Sequence, residues 1–376
     1  MPLDGHIDIL SGFAFDSAKF STTGEVPIIR IRDVVRGRSE TYFTGDYDPR
    51  YLVAEGDLLI GMDGDFNRAT WQSGPALLNQ RVCKVTANPE TLDQRYLYHF
   101  LPIGLRKIWE STSFATVKHL SVKGIRGINI PLPCLDKQRR IAAILDKTDE
   151  LRDKRREALA HLDTLTQSIF YEMFGHPISN PMKWPVGRIS DLLESAKYGT
   201  SSKASDHGEF PVLRMNNISY SGQLVLDDLK YMDLAESVYD KYLVRTGDVL
   251  FNRTNSAELV GKTALVRSNT PMAFAGYLVR LRTRSSTAPE YLAAFMNLPP
   301  TKQTLRNMCK SIVGMANINA KEVQTIRIPV PPFSLQGQFA SRIAAVERLK
   351  EHHRAQLTEL DALFASLQHR AFKGEL

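Results

Sequence analysis

Three stretches of this chain hold residue types that could do chemistry. "ELVGKTAL", from Glu258, contains Gly-Lys-Thr. A phosphate-cradling loop needs another glycine five residues before the Gly of that triplet, so that backbone N–H groups can close round the anion. Ser256 stands there, so Lys262 is read as a phosphate-backbone contact or a loop residue. "NLPPT", from Asn297, approaches the Asn-Pro-Pro-aromatic tetrad with which amino-methyltransferases hold a flipped base. Leu298 interrupts it, the aromatic is missing and no glycine-rich cofactor loop accompanies it, so it reads as a helix-end loop. His352-His353 lacks the spaced Cys or His partners of a metal site. What remains is the chemistry of recognition. Non-periodic segments carry side chains with paired donors or amides: Asn67, Arg68, Gln72, Gln80 and Arg81 early in the chain, and Arg214, Asn216, Asn217, Arg253 and Asn255 later. Arg fits the acceptor pair of guanine in the major groove, and Asn or Gln fits adenine. Lys118, His119, Lys262 and Lys310 are the cations placed to meet phosphates. For each of these, a turn or strand-end hydrogen bond is an equal alternative.

The composition allows such a role without requiring it. The chain has 376 residues, a net charge of +7 and a pI near 9.2, which is compatible with a polyanionic partner. Its length suits two or three domains. No apolar run approaches the roughly 20 residues of a membrane span, and "MPLDGHIDIL" is not a secretory leader. Cys83, Cys134 and Cys309 are odd in number and widely spaced, which suits a reducing cytoplasm better than a disulfide framework.

The organising feature is a duplication. "GEVPIIRIRDV" from Gly24 returns as "GEFPVLRMNNI" from Gly208, and "YLVAEGDLLI" from Tyr51 as "YLVRTGDVLF" from Tyr242. "RYLYHFL" from Arg95 matches "EYLAAFM" from Glu290, and "INIPLP" from Ile128 matches "IRIPVP" from Ile326. The order is kept while the separation grows through 184, 191, 195 and 198 residues, as it does when the second copy has longer loops. In the first copy "VPIIRI", "GDLLIG", "RVCKVT" and "INIPLP" are predicted strands; in the second, "PVLRM", "GDVLF", "TALVR" and "YLVRLR". "LDQRYLYHFLPIGLRKIWE" and "PEYLAAFMNLPPTKQTLRNM" are predicted helices. The repeated unit is thus a mixed α+β globule followed by something different.

That something is a long helix. The segment from Leu135 has no Pro and no Gly until Gly175, and the segment from Phe333 has only Gly337 before Gly374. Apolar residues recur at three and four: Ile141, Leu145, Leu151, Leu159, Leu162, Leu165, Ile169 and Met173, then Phe339, Ile343, Val346, Leu357, Leu360, Phe364 and Leu367. Each helix would run roughly 50–60 Å, too long to bury its stripe on one small globule, so the two stripes are expected to pair as a coiled coil. A globule–helix–globule–helix chain closes best with antiparallel helices. "RDKRRE" and "KEHHRA" make both helices polar at their middles, either as a solvated face or as a basic waist toward a partner. Two non-identical basic globules held apart suit two pieces of one partner, such as DNA half-sites about 34 Å apart. A duplicated protein-interaction scaffold that never touches DNA fits rod and repeat equally well.

Several phrases resemble the specificity subunits of type I restriction-modification systems: "LSGFAFDSAKF", "DGDFNRATW", "LLNQRVCKV", "PLPCLDKQRRIAAILDKTDEL", "SIFYEMFG", "GDVLFNRTNSAELVGKTALV" and the terminal "AFKGEL". The resemblance spans essentially the whole chain. It implies an α+β fold with two similar target-recognition domains at 1–134 and 176–332, separated by long helices at 135–175 and 333–376 that form an antiparallel coiled coil with a pseudo-two-fold repeat. It implies a non-catalytic subunit that reads a bipartite double-stranded DNA site, one half per domain, with helix length setting the spacer. Its implied partners are two methyltransferase subunits, which carry the S-adenosylmethionine, and motor-nuclease subunits for restriction. This chain itself would hold no cofactor and no metal. A recognition part of a fused methyltransferase-nuclease is disfavoured, since catalytic motifs are missing here. One departure stands out: "NPMKWPVGRISDLLE" precedes "YGTSSK" in the second copy, whereas the first copy starts almost at the equivalent turn and has no partner for Trp184. Either a dozen or so residues are lacking there, or the C-terminal tail completes the first domain.

Overall fold

The computed structural model describes residues 1–112, 117–256, 258–312 and 315–376. The chain divides into two compact units, Met1–Arg155 with Gln356–Leu376, and Arg156–Ala355.

In the first unit, β1 (Ile7–Ser11), β2 (Leu58–Gly61), β3 (Arg68–Thr70) and β4 (Val82–Ala87) form an antiparallel sheet in the order β1-β4-β2-β3. In the second, β5 (Leu193–Tyr198), β6 (Val249–Asn252), β7 (Thr263–Leu265) and β8 (Leu278–Thr283) form the same sheet in the order β5-β8-β6-β7. Each unit adds a parallel pairing outside that sheet, Ile28–Ile29 beside Leu77–Leu78 and Val212–Leu213 beside Ala273–Phe274. The strands come from short apolar runs, and both central strands, β2 and β6, are buried along their whole length.

The predicted helices form, with one correction. α1 (Gln94–Ser111) is capped by Asp93, whose Oδ1 accepts from the N–H groups of Arg95 and Tyr96 at 3.0 and 2.9 Å, and it runs through Pro102. The helix expected from Pro289 instead ends as α3 (Pro289–Asn297), and a new helix covers Pro299–Met308. Leu298 precedes a proline, which disfavours its helical conformation, and it sits at ψ 143°. "INIPLP" also falls short in the first copy, where only the Pro2–Asn129 bridge is made; the second copy has a strand, Arg327–Pro329, paired with Val186–Arg188.

The repeat extends to single atoms. Tyr96 donates its hydroxyl to Pro131 O at 3.0 Å, and Tyr291 donates to Pro329 O at 2.6 Å. Gln138 accepts from Asp93 N at 2.9 Å and donates to Pro133 O; Gln336 accepts from Ala288 N at 3.0 Å and donates to Pro331 O. The echoed Gly-Asp is a shared turn. Gly56 and Gly247 take φ of +93° and +90°, which glycine adopts without strain. Asp57 and Asp248 then accept from Ala54 N and Arg245 N, both at 2.8 Å.

The long helices are α2 (Leu135–Phe174) and α4 (Phe333–Lys373), and half of each lies in each unit. In the first unit Ile141, Ala142 and Leu145 share a core with Phe364, Leu367 and Ala371, and Arg152 meets Asp361 at 2.6 Å. In the second, Ile169 and Phe170 share a core with Phe339, Ile343 and Val346; Lys350 meets Asp163 at 2.9 Å and Arg342 meets Glu172 at 3.0 Å. Within both units, partners on α4 fall in number as those on α2 rise, which is antiparallel coiled-coil pairing.

The tail of α4 fills the place in the first unit that the end of α2 fills in the second. Phe372 packs 5.1 Å from Tyr96, and Phe174 packs 4.9 Å from Tyr291. The first residues keep part of the lead-in: Met1 N and Leu3 N donate to Ile130 O and Ile128 O, at 2.9 and 2.8 Å. Trp184 of the second copy donates to Phe174 O at 3.1 Å. No helix among the described residues is long and apolar enough to cross a membrane.

Candidate nucleic-acid interface

At the far end of each main sheet the backbone is held by a repeated set of hydrogen bonds. In the first unit Gly61 N donates to Asn67 O at 2.8 Å, Met62 N to Arg81 O at 2.8 Å, and Leu120 N to Met62 O at 2.7 Å. In the second, Asn252 N donates to Lys262 O at 2.8 Å, Arg253 N to Tyr277 O at 3.0 Å, and Ile318 N to Arg253 O at 2.9 Å. Asp63 bridges to His119, as Thr254 pairs with Asn317. The backbone positions coincide while the side chains do not: Met62 against Arg253, Asn67 against Lys262, Arg81 against Tyr277.

Most of the first unit's candidates gather there. Asn67, Arg81 and His119 are exposed, and Arg81 Nε lies 3.7 Å from Asp63 Oδ2. His119 Nδ1 is 2.6 Å from Asp63 Oδ1, so one carboxylate holds two candidates. Lys118 Nζ sits 3.5 Å above the Trp109 ring and also donates to Trp109 O, while Trp109 Nε1 donates to Gly64 O at 3.0 Å. Arg68 stacks its guanidinium 3.6 Å over Tyr98; burial pulls its pKa below the ordinary value, and its Nε has no hydrogen-bond partner among the described residues. Asn67, Arg68, Arg106 and Trp109 line a cleft of about 470 Å³. Phe66 and Arg81 take φ of +51° and +69° without being glycine, strain that marks functional sites more often than chance would. Gln80 is exposed in the turn before Arg81. Gln72 lies apart, against Gly37.

The second unit distributes its candidates differently. Arg253 packs 5.0 Å from the Tyr198 ring, and its Nε is buried without a hydrogen-bond partner among the described residues. Asn255 accepts from Ser256 N at 2.9 Å on a short strand. Lys262 is turned inward: Nζ donates to Met215 O at 2.7 Å, and burial lowers its pKa. At Gly-Lys-Thr, Gly261 O accepts from Lys302 Nζ at 2.6 Å. Arg214 and Asn216 both bond Asp228, at 3.0 and 3.2 Å. Asn217 is buried and caps a turn, accepting from Arg214 N at 2.9 Å as Asp33 accepts from Arg30 N at 3.0 Å in the first unit. Lys310 lies on strand Lys310–Ile312, and its side chain is outside the described residues. Asn297 closes its helix end, donating to Thr263 O and Ala293 O.

Sequence reasoning missed Asp63, Trp109 and Tyr277. The offset ladder would not have found Tyr277: its separation from Arg81, 196 residues, falls outside the 191–195 of the flanking phrases, and only the backbone hydrogen bonds set the two in one place.

The sequence profile of the type I restriction modification DNA specificity domain matches residues 2–161 and again residues 181–361. The chain belongs to that family. Like the type I specificity subunits as a class, it supplies recognition and not catalysis. It is similar to the specificity subunit of the type I restriction enzyme EcoBI from Escherichia coli, at 28% identity with 100% of this chain and 85% of the relative covered. The EcoKI specificity subunit of Escherichia coli (strain K12) is 23% identical, over 93% of this chain and 82% of its own. In fold, the chain is like the S subunit of a type I restriction-modification system from M. genitalium, with a TM-score of 0.61, 13% identity, and 99% and 95% of the two chains covered. A chain from a structure of a type I R-M system gives a TM-score of 0.52 at 20% identity, over 100% and 97%.

Proposed function

We propose that this chain is the sequence-choosing subunit of a DNA methyltransferase and restriction complex in the cytoplasm. Recognition domains at 1–134 and 176–332 each read one half of a bipartite site. The long helices, at 135–175 and 333–376, carry two methyltransferase subunits, which bring the S-adenosylmethionine, and motor-nuclease subunits join for restriction. The observation that carries this reading is the pair of equivalent backbone frames with different side chains, Arg81 against Tyr277 above all. A duplicated scaffold for one kind of protein partner would have no use for such differences between equivalent positions. Asn67, Arg68, Gln80 and Arg81 are the base-reading candidates of the first half, and Arg253 and Asn255 those of the second. Lys118 and His119 are candidates for phosphate. Gln72, Arg214, Asn216 and Lys310 remain backbone or base candidates outside the two clusters, while Asn217 and Lys262 serve the reading loops from inside.

Affinity of the full chain with its methyltransferase subunits for duplex DNA should fall steeply with salt. Log K should drop linearly with log salt, with a slope near −0.9 per phosphate neutralised. Affinity that is flat across 50–200 mM salt would point to a protein scaffold instead.

A further inference from the structure

We infer that Arg81 and Tyr277 occupy one reading slot, repeated in the two units, and that Asp63 is the positioning residue that aims the first of them. This rests on the DNA-recognition reading above and deepens it, by naming which residues make the two half-sites differ.

The slot is defined by backbone and not by side chain. Residues 81 and 277 each follow a residue whose N–H is tied to the segment just after the first strand of the sheet, Gln80 N to Phe13 O and Gly276 N to Thr200 O, both at 2.8 Å. Each then accepts the N–H at the end of the central strand, from Met62 or Arg253. Ahead of each, a glycine passes too close to backbone for any side chain: a Cβ on Gly12 would lie 2.0 Å from Asn79 O, and one on Gly199 would lie 2.3 Å from Ala275 O. The frame therefore fixes where the slot is, but not the direction in which its residue leaves the backbone, since Arg81 has a positive φ and Tyr277 does not.

Both occupants are solvent-facing, with the Arg81 side chain 58% and Tyr277 51% exposed, although neither stabilises a core. Arg81 adopts φ +69°, a conformation glycine would take without strain. Its Nε is held by Asp63 at 3.7 Å, and its Nη groups make no hydrogen bond among the described residues. A guanidinium drawn to a carboxylate on its Nε side, with its Nη side open, matches the paired acceptors of a guanine. Tyr277 offers one hydroxyl and an apolar edge, and Thr254 stands where the first unit has Asp63, so the second half-site does not demand that acceptor pair.

The test uses the full chain with its methyltransferase subunits on duplex libraries in which every position of both half-sites is varied. Arg81→Lys keeps the charge and loses the fork. It should reduce discrimination at one position of the first half-site by about tenfold or more, leaving the second half-site and the salt slope unchanged. Asp63→Asn should relax the same position more weakly. Tyr277→Ala should relax the corresponding position of the second half-site when the two halves are aligned by the repeat. Weakening of all sequences alike with a shallower salt slope would make Arg81 a phosphate contact and overturn the slot. Unrelated positions, or no change, would overturn it too. A misfolded variant loses both halves together, and Arg81→Gln and Tyr277→Phe then carry the same comparison. If the unaltered chain shows no sequence preference, it is the recognition reading itself that fails.

Discussion

Asp248 is 2% exposed and accepts from Arg282 at 2.7 and 2.9 Å as well as from Arg245 N. Its counterpart Asp57 accepts from Ala54 N in the same way, but its ion pair among the described residues is with Lys84, at 2.9 Å, and it is more open. Removing one partner of a buried charge pair strands the other, at about 3–5 kcal/mol, whereas a partly exposed pair is worth about 1 kcal/mol or less. Asp248→Asn should therefore lower the melting temperature of its unit far more than Asp57→Asn does. Lys302 offers a pH test. Burial, then the neighbouring Lys262 and Arg306, lowers its pKa from 10.5 to about 7. Below pH 7 folded and unfolded chains both hold the proton, and the burial penalty is fully present. Above it only the unfolded chain does, so stability should rise with pH through that window. Between pH 7 and 9 the rise is at most about 2–3 kcal/mol, and chemical denaturation should show it flattened in Lys302→Met. Residue roles were the least legible part of the sequence. Asn217 and Lys262 have the right chemistry for reading, but their polar atoms are used on Arg214 N, Val225 O and Met215 O. The cap was foreseeable, since Asp33 holds the same place in the first copy.

Among the elements, the long helices were legible from their three-and-four spacing, although Leu151 and Leu165 of the expected stripe lie exposed. The break at Leu298 was legible in its cause, the two prolines, but α1 tolerates Pro102, so proline alone does not settle a helix. The tail of α4 in the first unit's core was foreseen only as one of two alternatives, since nothing local in "AFKGEL" says which globule it joins. Gln138 and Gln336 clamp the starts of the long helices to α1 and α3. Both are buried, and truncation leaves a backbone N–H without its acceptor. Gln138→Ala and Gln336→Ala should each cost about 1–3 kcal/mol, read as loss of amide-exchange protection at the starts of α1 and α3.

At the scale of the molecule, the duplication was visible as an offset ladder because the repeated phrases build turns and buried strands, which tolerate little change. The candidate reading positions were hard to name for the opposite reason: they lie where the frame leaves side chains exposed and free to differ. A frame kept twice with its exposed residues altered is the expected product of two different half-sites on one DNA. The most direct test is to map methylated positions across a host genome with and without this gene, its methyltransferase partner present in both. Recognition by two domains predicts gene-dependent methylation at one motif of two different halves separated by a fixed unspecified spacer. Methylation that does not depend on the gene, or a motif with a single continuous half, would contradict it.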